Sequence, residues 1–522
     1  MVGPFVNEPF ADFGSAPVRA AMEEAIRRVE AQLGRTYPAF VDGQDVLTDA
    51  RIVSVNPARP QQVVGYVAKA DRELAERAIQ AASRAFERWR RYTPDARARV
   101  LLRAAAILRR RRFEFNAWMV LEVGKTWVEA DVETAEAIDF LEYYAREMMR
   151  LGAPQPLTPL PGEENEQRYI PLGVVVVIPP WNFPLSILLG MTSAALVAGN
   201  AVVLKPSSVS PVVAAKAVEL LREAGIPDGV LNFVPGSGGA IGDYLVSHPL
   251  TRMIAFTGSK EVGLRINELA ARTAPGQRWI KRVIAEMGGK NAIIVDDSAD
   301  LEAAAAAIVT SAFGFQGQKC SAGSRAIVLD GVYDRVLEEV VARTRALRIG
   351  DPARYETQIG PVVDRSQFDK VSSYLEIGRR EGRLVAGGGP WGESARDPEA
   401  HGYFIEPTVF ADVDPSARIA QEEIFGPVLA VIRARDFDHA LEIANGTEYG
   451  LTGAVFARDR AKLERAREEF HVGNLYFNRK CTGALVGAHP FGGFNMSGTD
   501  SKAGGPDYLL LFTQAKAISE AL

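Results

Sequence analysis

Sulfur is scarce: 522 residues hold only two cysteines, Cys320 and Cys481. Thiols so far apart in the chain cannot build a disulfide framework, and a reducing compartment, the cytoplasm, is the expected home. Histidine is also sparse. His248, His401, His439, His471 and His489 form no metal-ligand pattern, no zinc motif appears, and no metal is expected. A large excess of one sign of charge is missing too. The net charge of −5 gives no global pull toward nucleic acid or an anionic membrane. The opening MVGPFVNEPFADFG has neither a basic n-region nor an apolar h-region, so a secretory signal is not expected.

One long stretch, residues 171–204, carries no charge: PLGVVVVIPPWNFPLSILLGMTSAALVAGNAVVL. Its second half is about the length of a membrane span. Pro179, Pro180 and Pro184 break the first half, however, and Gly199-Asn200 signals a turn. The stretch parses as strand, loop, buried helix and strand, as in a parallel sheet covered on both faces. Upstream the pattern is helical. Ala75, Ile79, Ala82, Phe86 and Trp89 share one helix face, and Thr93-Pro94 opens a second helix. The run Arg109–Arg112 has acidic residues close by and is expected to be a solvated face.

From residue 171, the strand-like GVVVVI, AVVLKP, VLNFVPG and MIAFTGS alternate with helical SPVVAAKAVELLREAG and KEVGLRINELAARTA. This alternation predicts βαβ units and a doubly wound parallel sheet. A second such series runs from NAIIVDDSADLEAAAAAIVTSAFG to beyond RIAQEEIFGPVLAVI. Residues 151–167 are expected to be a connector or flap, and residues 386–402 a surface loop.

Four short strings carry chemistry. GFQGQKCSAGSRAIV (314–328) sets Cys320 among small, loop-forming residues beside Lys319. That composition suits a reactive thiol in an electropositive setting, although a cysteine can also be a small hydrophobe. In IPPWNFP (178–184) the Asn182 amide could donate to an oxyanion or bond its own turn. In AEMGGKN (285–291) Glu286 ends an apolar strand, placed as a general base or as a turn cap. FTGSKEVG (256–263) offers a helix start suited to a pyrophosphate. PGSGGAIG (235–242) lacks the third glycine of a dinucleotide fingerprint, since Ile241 stands there, and no Walker A motif is present.

Together, PWNFP, FTGS, EMGGKN, GQKCSAGSR, QEEIFGPV and PFGGFNMSG, in this order, resemble the aldehyde dehydrogenase superfamily over nearly the whole chain. FGFQGQKCSAGSR, FHVGNLYFNRKCTGALVGAHPFGGF and SGTDSKAGGPDYLLLF resemble most its bacterial 1-pyrroline-5-carboxylate dehydrogenase branch, which oxidises L-glutamate γ-semialdehyde to glutamate in proline and arginine degradation. The resemblance implies an α/β fold of two doubly wound Rossmann-type domains plus a small β oligomerisation flap. Residues 1–150 and 171–284 would form the NAD(P)-binding domain, with a helical N-terminal part. Residues 285–493 would form the catalytic domain, and 151–170 with 494–522 the flap.

Roles follow from the same resemblance. Cys320 would be the nucleophile, helped toward the thiolate by Lys319. Asn182 and the Cys320 N–H would hold the oxyanion, and Glu286 would activate water. NAD would lie against Ile178, Pro180, Trp181, Lys205, Ser207 and Ser208. Gly238, Phe256, Gly258, Ser259, Val262 and Gly288 would continue that surface, with Glu423 and Phe425 at the nicotinamide. Glu136, Phe183, Lys319, Ser321, Gly483, Ala484 and Phe491 would grip an amino-acid semialdehyde. Ser208 stands in KPSS where many relatives carry an acid, so NADP could be accepted beside NAD. Cys481 is a small apolar residue by default, though it could pair with Cys320 under oxidation. A homo-oligomer, a dimer or assembly of dimers, is implied; nucleic-acid and membrane partners are not. The competing readings are another semialdehyde dehydrogenase, acting on succinate semialdehyde for example, a cofactor-independent thiol esterase, and a non-catalytic scaffold.

Overall fold

A computed structural model of the chain describes residues 2–522. The charge-free stretch becomes strand Val174–Ile178, a proline-stiffened turn, helix Ser186–Val197 and strand Ala201–Leu204. Valines fill these strands because both faces of their sheet are covered. That sheet has seven strands, in the order Arg282–Glu286, Thr251–Thr257, Val174–Ile178, Ala201–Leu204, Leu231–Phe233, Ala39–Val41 and Gln44–Val46. The first five run parallel, and the last two add an antiparallel edge. The chain leaves Val174–Ile178 toward one edge and later returns on its other side, beside Thr251–Thr257. A crevice at such a reversal is where open α/β sheets bind ligands.

A second seven-stranded sheet has the order Arg383–Ala386, Thr408–Ala411, Val428–Ala434, Arg325–Leu329, Ala292–Val295, Thr452–Phe456 and Asn474–Phe477. Only Arg383–Ala386 is antiparallel to its neighbour. Here the reversal lies between Ala292–Val295 and Thr452–Phe456. The Asn291 side chain accepts the Thr452 N–H at 2.9 Å and donates to the Cys320 and Ala322 carbonyls at 2.7 and 2.8 Å. One asparagine thus ties the cysteine loop to the switch point of the second sheet. The core around that sheet runs from Ala292 to Cys481.

The expected helices form. Arg72–Trp89 buries Ala75, Ile79, Ala82 and Trp89, and Thr93 caps Pro94–Arg110 by accepting the Ala96 N–H at 3.2 Å. Three features differ from expectation. Residues 35–68 hold short strands rather than helix, because segments of three to ten residues take their pairing from neighbours rather than from their own periodicity. The run Arg109–Arg112 is a solvated face at Arg109 and Arg110 but is drawn in at Arg111 and Arg112. Arg112, with 13% of its side chain exposed, forks onto Asp131 at 2.6 Å, and Arg109 bridges Glu8 and Glu142. The acids that pair with Arg109 and Arg112 are brought from the N-terminal arm and a later helix. Finally, the exposed ribbon pairs Glu163–Pro171 with Thr513–Ala521 only. Residues 494–512 stay outside that ribbon: the Ser497 carbonyl accepts the Met287 N–H, and the Thr499 N–H reaches the Ala285 carbonyl.

Candidate active site

A cavity of about 720 Å³ opens at the reversal point of the first sheet. The ends of three neighbouring strands and the loops after them floor it. Ile178, Pro180 and Trp181 come from the first, Lys205, Ser207 and Ser208 from the second, and Phe256, Gly258 and Ser259 from the third. Gly238 and Val262 extend the wall, while Gly288, Glu423 and Phe425 face it from the other side. All the residues expected to meet a nucleotide therefore share one surface. Ser259 caps helix Lys260–Ala271, its hydroxyl accepting the Val262 N–H at 3.4 Å, which sets the positive end of a helix dipole at the wall. Burial pulls the Lys205 pKa down to about 8, and its Nζ donates to the Pro206 carbonyl at 3.2 Å. The Glu423 carboxylate accepts the Gly289 N–H at 2.9 Å, and burial raises its pKa. A Cβ at Gly288 would stand 2.4 Å from that carboxylate, so only glycine leaves room for it. Phe425 holds a φ of +62° and meets Trp181 edge-on at 5.4 Å.

Cys320 lines this cavity and also a second one of about 130 Å³. The two spaces meet at the thiol. Asn182, buried on the first side, donates one amide hydrogen to the Gln318 carbonyl at 3.0 Å and keeps the other. Glu286 lines the second side. Its carboxylate accepts from the Ser501 hydroxyl at 2.5 Å, the Ser501 N–H at 3.3 Å and the Gly493 N–H at 3.2 Å. Burial nonetheless pushes its pKa up to about 7 against those bonds.

Cys320 does not occupy the electropositive setting expected of it. Lys319 is engaged elsewhere: its Nζ lies 2.7 Å from the Glu129 carboxylate. Burial is the main cause that drives the Cys320 pKa up to about 12, with the Glu423 and Glu286 carboxylates adding to it. The sulfur is partly open, but low-dielectric walls surround it. Cys481 is fully buried in the second core, its Sγ 3.5 Å from the Ser321 carbonyl.

Glu136, Phe183, Lys319, Ser321, Gly483, Ala484 and Phe491 all line the second cavity. Helix Trp127–Leu151 contributes most of one wall, because Glu129, Glu136, Phe140 and Tyr144 recur on one face at helical spacing. Burial raises the Glu136 pKa to about 7. Two supports of this site went unread in the sequence. Ser501 sits in a Gly/Ser/Lys-rich stretch that carries no spacing signal. Lys125 and Glu133 form an ion pair at 2.6 Å with no solvent exposure on either side chain. The Lys125 Nζ lies 3.8 Å from the centre of the Phe183 ring, and Glu133 accepts the Leu185 and Ser186 N–H groups at 2.8 and 3.0 Å. The pair thereby fixes the exit of the loop that carries Asn182 and Phe183. Its available signal was a pair of charges flanking the buried Trp127.

Paired doubly wound sheets, a nucleotide-sized cleft and a cysteine at its inner end define the class: the chain belongs to the aldehyde dehydrogenase family, whose sequence profile matches residues 43–518. Within that family it is 62% identical over 520 residues to the 1-pyrroline-5-carboxylate dehydrogenase of Geobacillus kaustophilus, with 100% of each chain covered. The counterpart from Bacillus subtilis is 56% identical over 517 residues, with 99% of each covered. A solved Thermus 1-pyrroline-5-carboxylate dehydrogenase with bound NAD superposes with a TM-score of 0.97 at 54% identity, over 100% of both chains. Among the described residues, no helix is long and apolar enough to cross a membrane.

Proposed function

We infer that the chain is an NAD-dependent dehydrogenase that oxidises L-glutamate γ-semialdehyde to L-glutamate, a reaction of proline metabolism. The observation that carries this reading is the position of Cys320, where a nucleotide cleft meets a small cavity lined by carboxylates and backbone amides. The cleft suits a dinucleotide: Lys205 and Glu423 each spend one hydrogen bond within the chain and keep the rest of their capacity. Ser259 and its helix start hold the pyrophosphate, Lys205 the adenosine ribose and Glu423 the nicotinamide ribose, with Phe425 beside the ring.

Cys320 Sγ attacks the aldehyde carbon. A C–S bond forms, the thiol proton passes to cavity water, and the oxygen gains the negative charge. The Asn182 amide and the Cys320 N–H donate to that oxygen, each donor contributing about 10²–10³ in rate. NAD+, when bound, supplies the hydride acceptor and a positive ring charge that opposes the Glu423 and Glu286 carboxylates around the thiol. Glu286 deprotonates the water that cleaves the thioester left on Cys320, releasing the new carboxylate and restoring the thiol. Gly483 and Ala484 offer N–H groups to the substrate α-carboxylate, Ser321 lies beside them, and Glu136 faces the ammonium. Phe183 and Phe491 pack the aliphatic stem. Lys319 is already neutralised by Glu129, which leaves the backbone amides as the main holders of the carboxylate.

The direct test is cofactor reduction with L-glutamate γ-semialdehyde, succinate semialdehyde and propanal. Strong preference for the first is expected, because an amino-acid site leaves polar groups unpaired around the other two. Equal rates on all three would sink the substrate assignment. NADP is expected to be reduced as well, since no carboxylate stands beside Lys205 in KPSS. Ser208 is exposed, so Ser208→Asp should fold normally; it should lower kcat/KM for NADP by about tenfold and change that for NAD by less than about twofold. An unchanged cofactor ratio would discount the role of this position.

The ribbon of Glu163–Pro171 and Thr513–Ala521 is proposed to seat on a second copy of the chain, giving a dimer or an assembly of dimers. Two strands alone are marginal in water, and their open edges call for a cover. Two free thiols suit a cytoplasmic setting.

A further inference from the structure

Ahead of the first helix, Ala16–Glu30, the chain runs as an arm without regular structure. This arm lies outside residues 43–518, the segment shared with the family at large. Chain ends of this kind fray unless something ties them down. Here the ties are many, and they converge on the substrate cavity. Asn7 Nδ2 donates to Asp139 at 2.8 Å and to the Val486 carbonyl at 2.9 Å. The Glu8 N–H donates to the other Asp139 oxygen at 2.7 Å, and the Ala11 N–H to Asp131 at 2.7 Å. Arg112 donates to the Pro9 carbonyl at 2.8 Å, and Phe5 packs edge-on against Tyr143.

The two groups that Asn7 bridges are both cavity walls. Asp139 stands one turn after Glu136 on helix Trp127–Leu151, while Val486 follows Gly483 and Ala484 in the loop opposite. Phe10 also lines the cavity, yet the residue is 53% exposed. An aromatic ring left half in water at a cavity rim gains burial when the cavity fills.

We propose that residues 7–10 form a wall of the substrate cavity and help to set its specificity. Asn7 is a positioning residue. It clamps Val486, and with it the Gly483–Ala484 amides, to the helix face that carries Glu136, so that carboxylate and ammonium holders keep one spacing. Phe10 closes the rim over the bound aldehyde. This inference rests on reading the cavity as the amino-acid aldehyde site.

Asn7→Ala, Phe10→Ala and Phe10→Leu test it, each compared with the unmodified enzyme on L-glutamate γ-semialdehyde and on propanal. Asn7→Ala should raise KM for the amino-acid aldehyde by about fivefold, the worth of its hydrogen bond to the Val486 carbonyl, with kcat and the KM for NAD unchanged. Its kcat/KM for propanal, which has no head group to hold, should stay the same. Phe10→Ala should raise KM for the amino-acid aldehyde by about threefold, and Phe10→Leu should recover most of that loss. The proposal falls if both aldehydes lose equally, or if neither does while thermal unfolding shows the variants folded. Failure of the substrate reading looks different, because the unmodified enzyme itself would then show no preference between the aldehydes.

Discussion

Cys320→Ala is expected to stay folded, to bind NAD as before and to lose dehydrogenase turnover by at least about 10⁴-fold. The substitution removes one sulfur from the junction of two cavities and from neither hydrophobic core, so no packing is lost with it. No other thiol can take over. Cys481 is sealed in the second core, where burial pushes its pKa up to about 11 and its Sγ is directed at a backbone carbonyl. Asn182 and Glu286 remain in place in the variant but have no bond to the substrate to work on. The measurement is NADH formation beside a fluorescence titration of NAD binding. Turnover within tenfold of the parent, with binding intact, would rule out Cys320 as the nucleophile. Loss of both turnover and binding would mean that the thiol supports the cleft itself.

The first sheet was legible where burial is symmetric. Strands such as Val174–Ile178 are covered on both faces, so their apolar run is continuous, and proline and glycine mark its ends. Residues 35–68 lacked that signal. Arg35–Tyr37 and Gln44–Val46 are half polar and three residues long, and only their partners Gly65–Val67 and Ala39–Val41 make them strands. Residues 494–512 show the same limit from the other side. Their small polar composition suits an exposed flap, yet Ser497 and Ser501 turn inward and Thr499 bonds Ala285 from the surface, because the strand that ends in Glu286 needs partners. Composition does not record which strand that will be.

The gathering of the candidate residues was legible because each motif lies at a strand end or a loop beside one, and a parallel sheet gathers such ends on one side. What the sequence did not reveal is the sign of the local field. Lys319 beside Cys320 suggested an electropositive thiol, but its partner Glu129 lies 190 residues earlier on a helix packed against the same cavity. Glu423, more than 100 positions downstream, then adds a negative field at the sulfur. Charge pairing depends on distances in the fold. The same reasoning applies to Glu286, whose burial at a strand end raises its pKa against the hydrogen bonds of a distant serine.

Glu286→Gln should separate the two halves of the reaction. A base acts only when deprotonated, and burial places this carboxyl at about 7. Thioester hydrolysis in the parent enzyme should therefore fall by about tenfold per pH unit on the acid side of 7 and level off above about 8. In the variant that limb disappears and the steady-state rate drops by about 10²–10⁴-fold on the plateau above about pH 8, a deficit that shrinks by about tenfold per pH unit below 7, since no general base remains for the water. Attack by Cys320 does not use this carboxylate, so rapid mixing with NAD and substrate should give a burst of about one NADH per site before the reaction stalls. The Ser501 donors and the Gly493 N–H meet different oxygens of Glu286, so the glutamine keeps an acceptor for only one of the two sides, and thermal unfolding of the variant is measured beside its kinetics. A burst of normal size followed by normal turnover would assign the base elsewhere. Absence of any burst would give Glu286 the thiol proton as well as the water's, placing one carboxyl group in both proton transfers of the cycle.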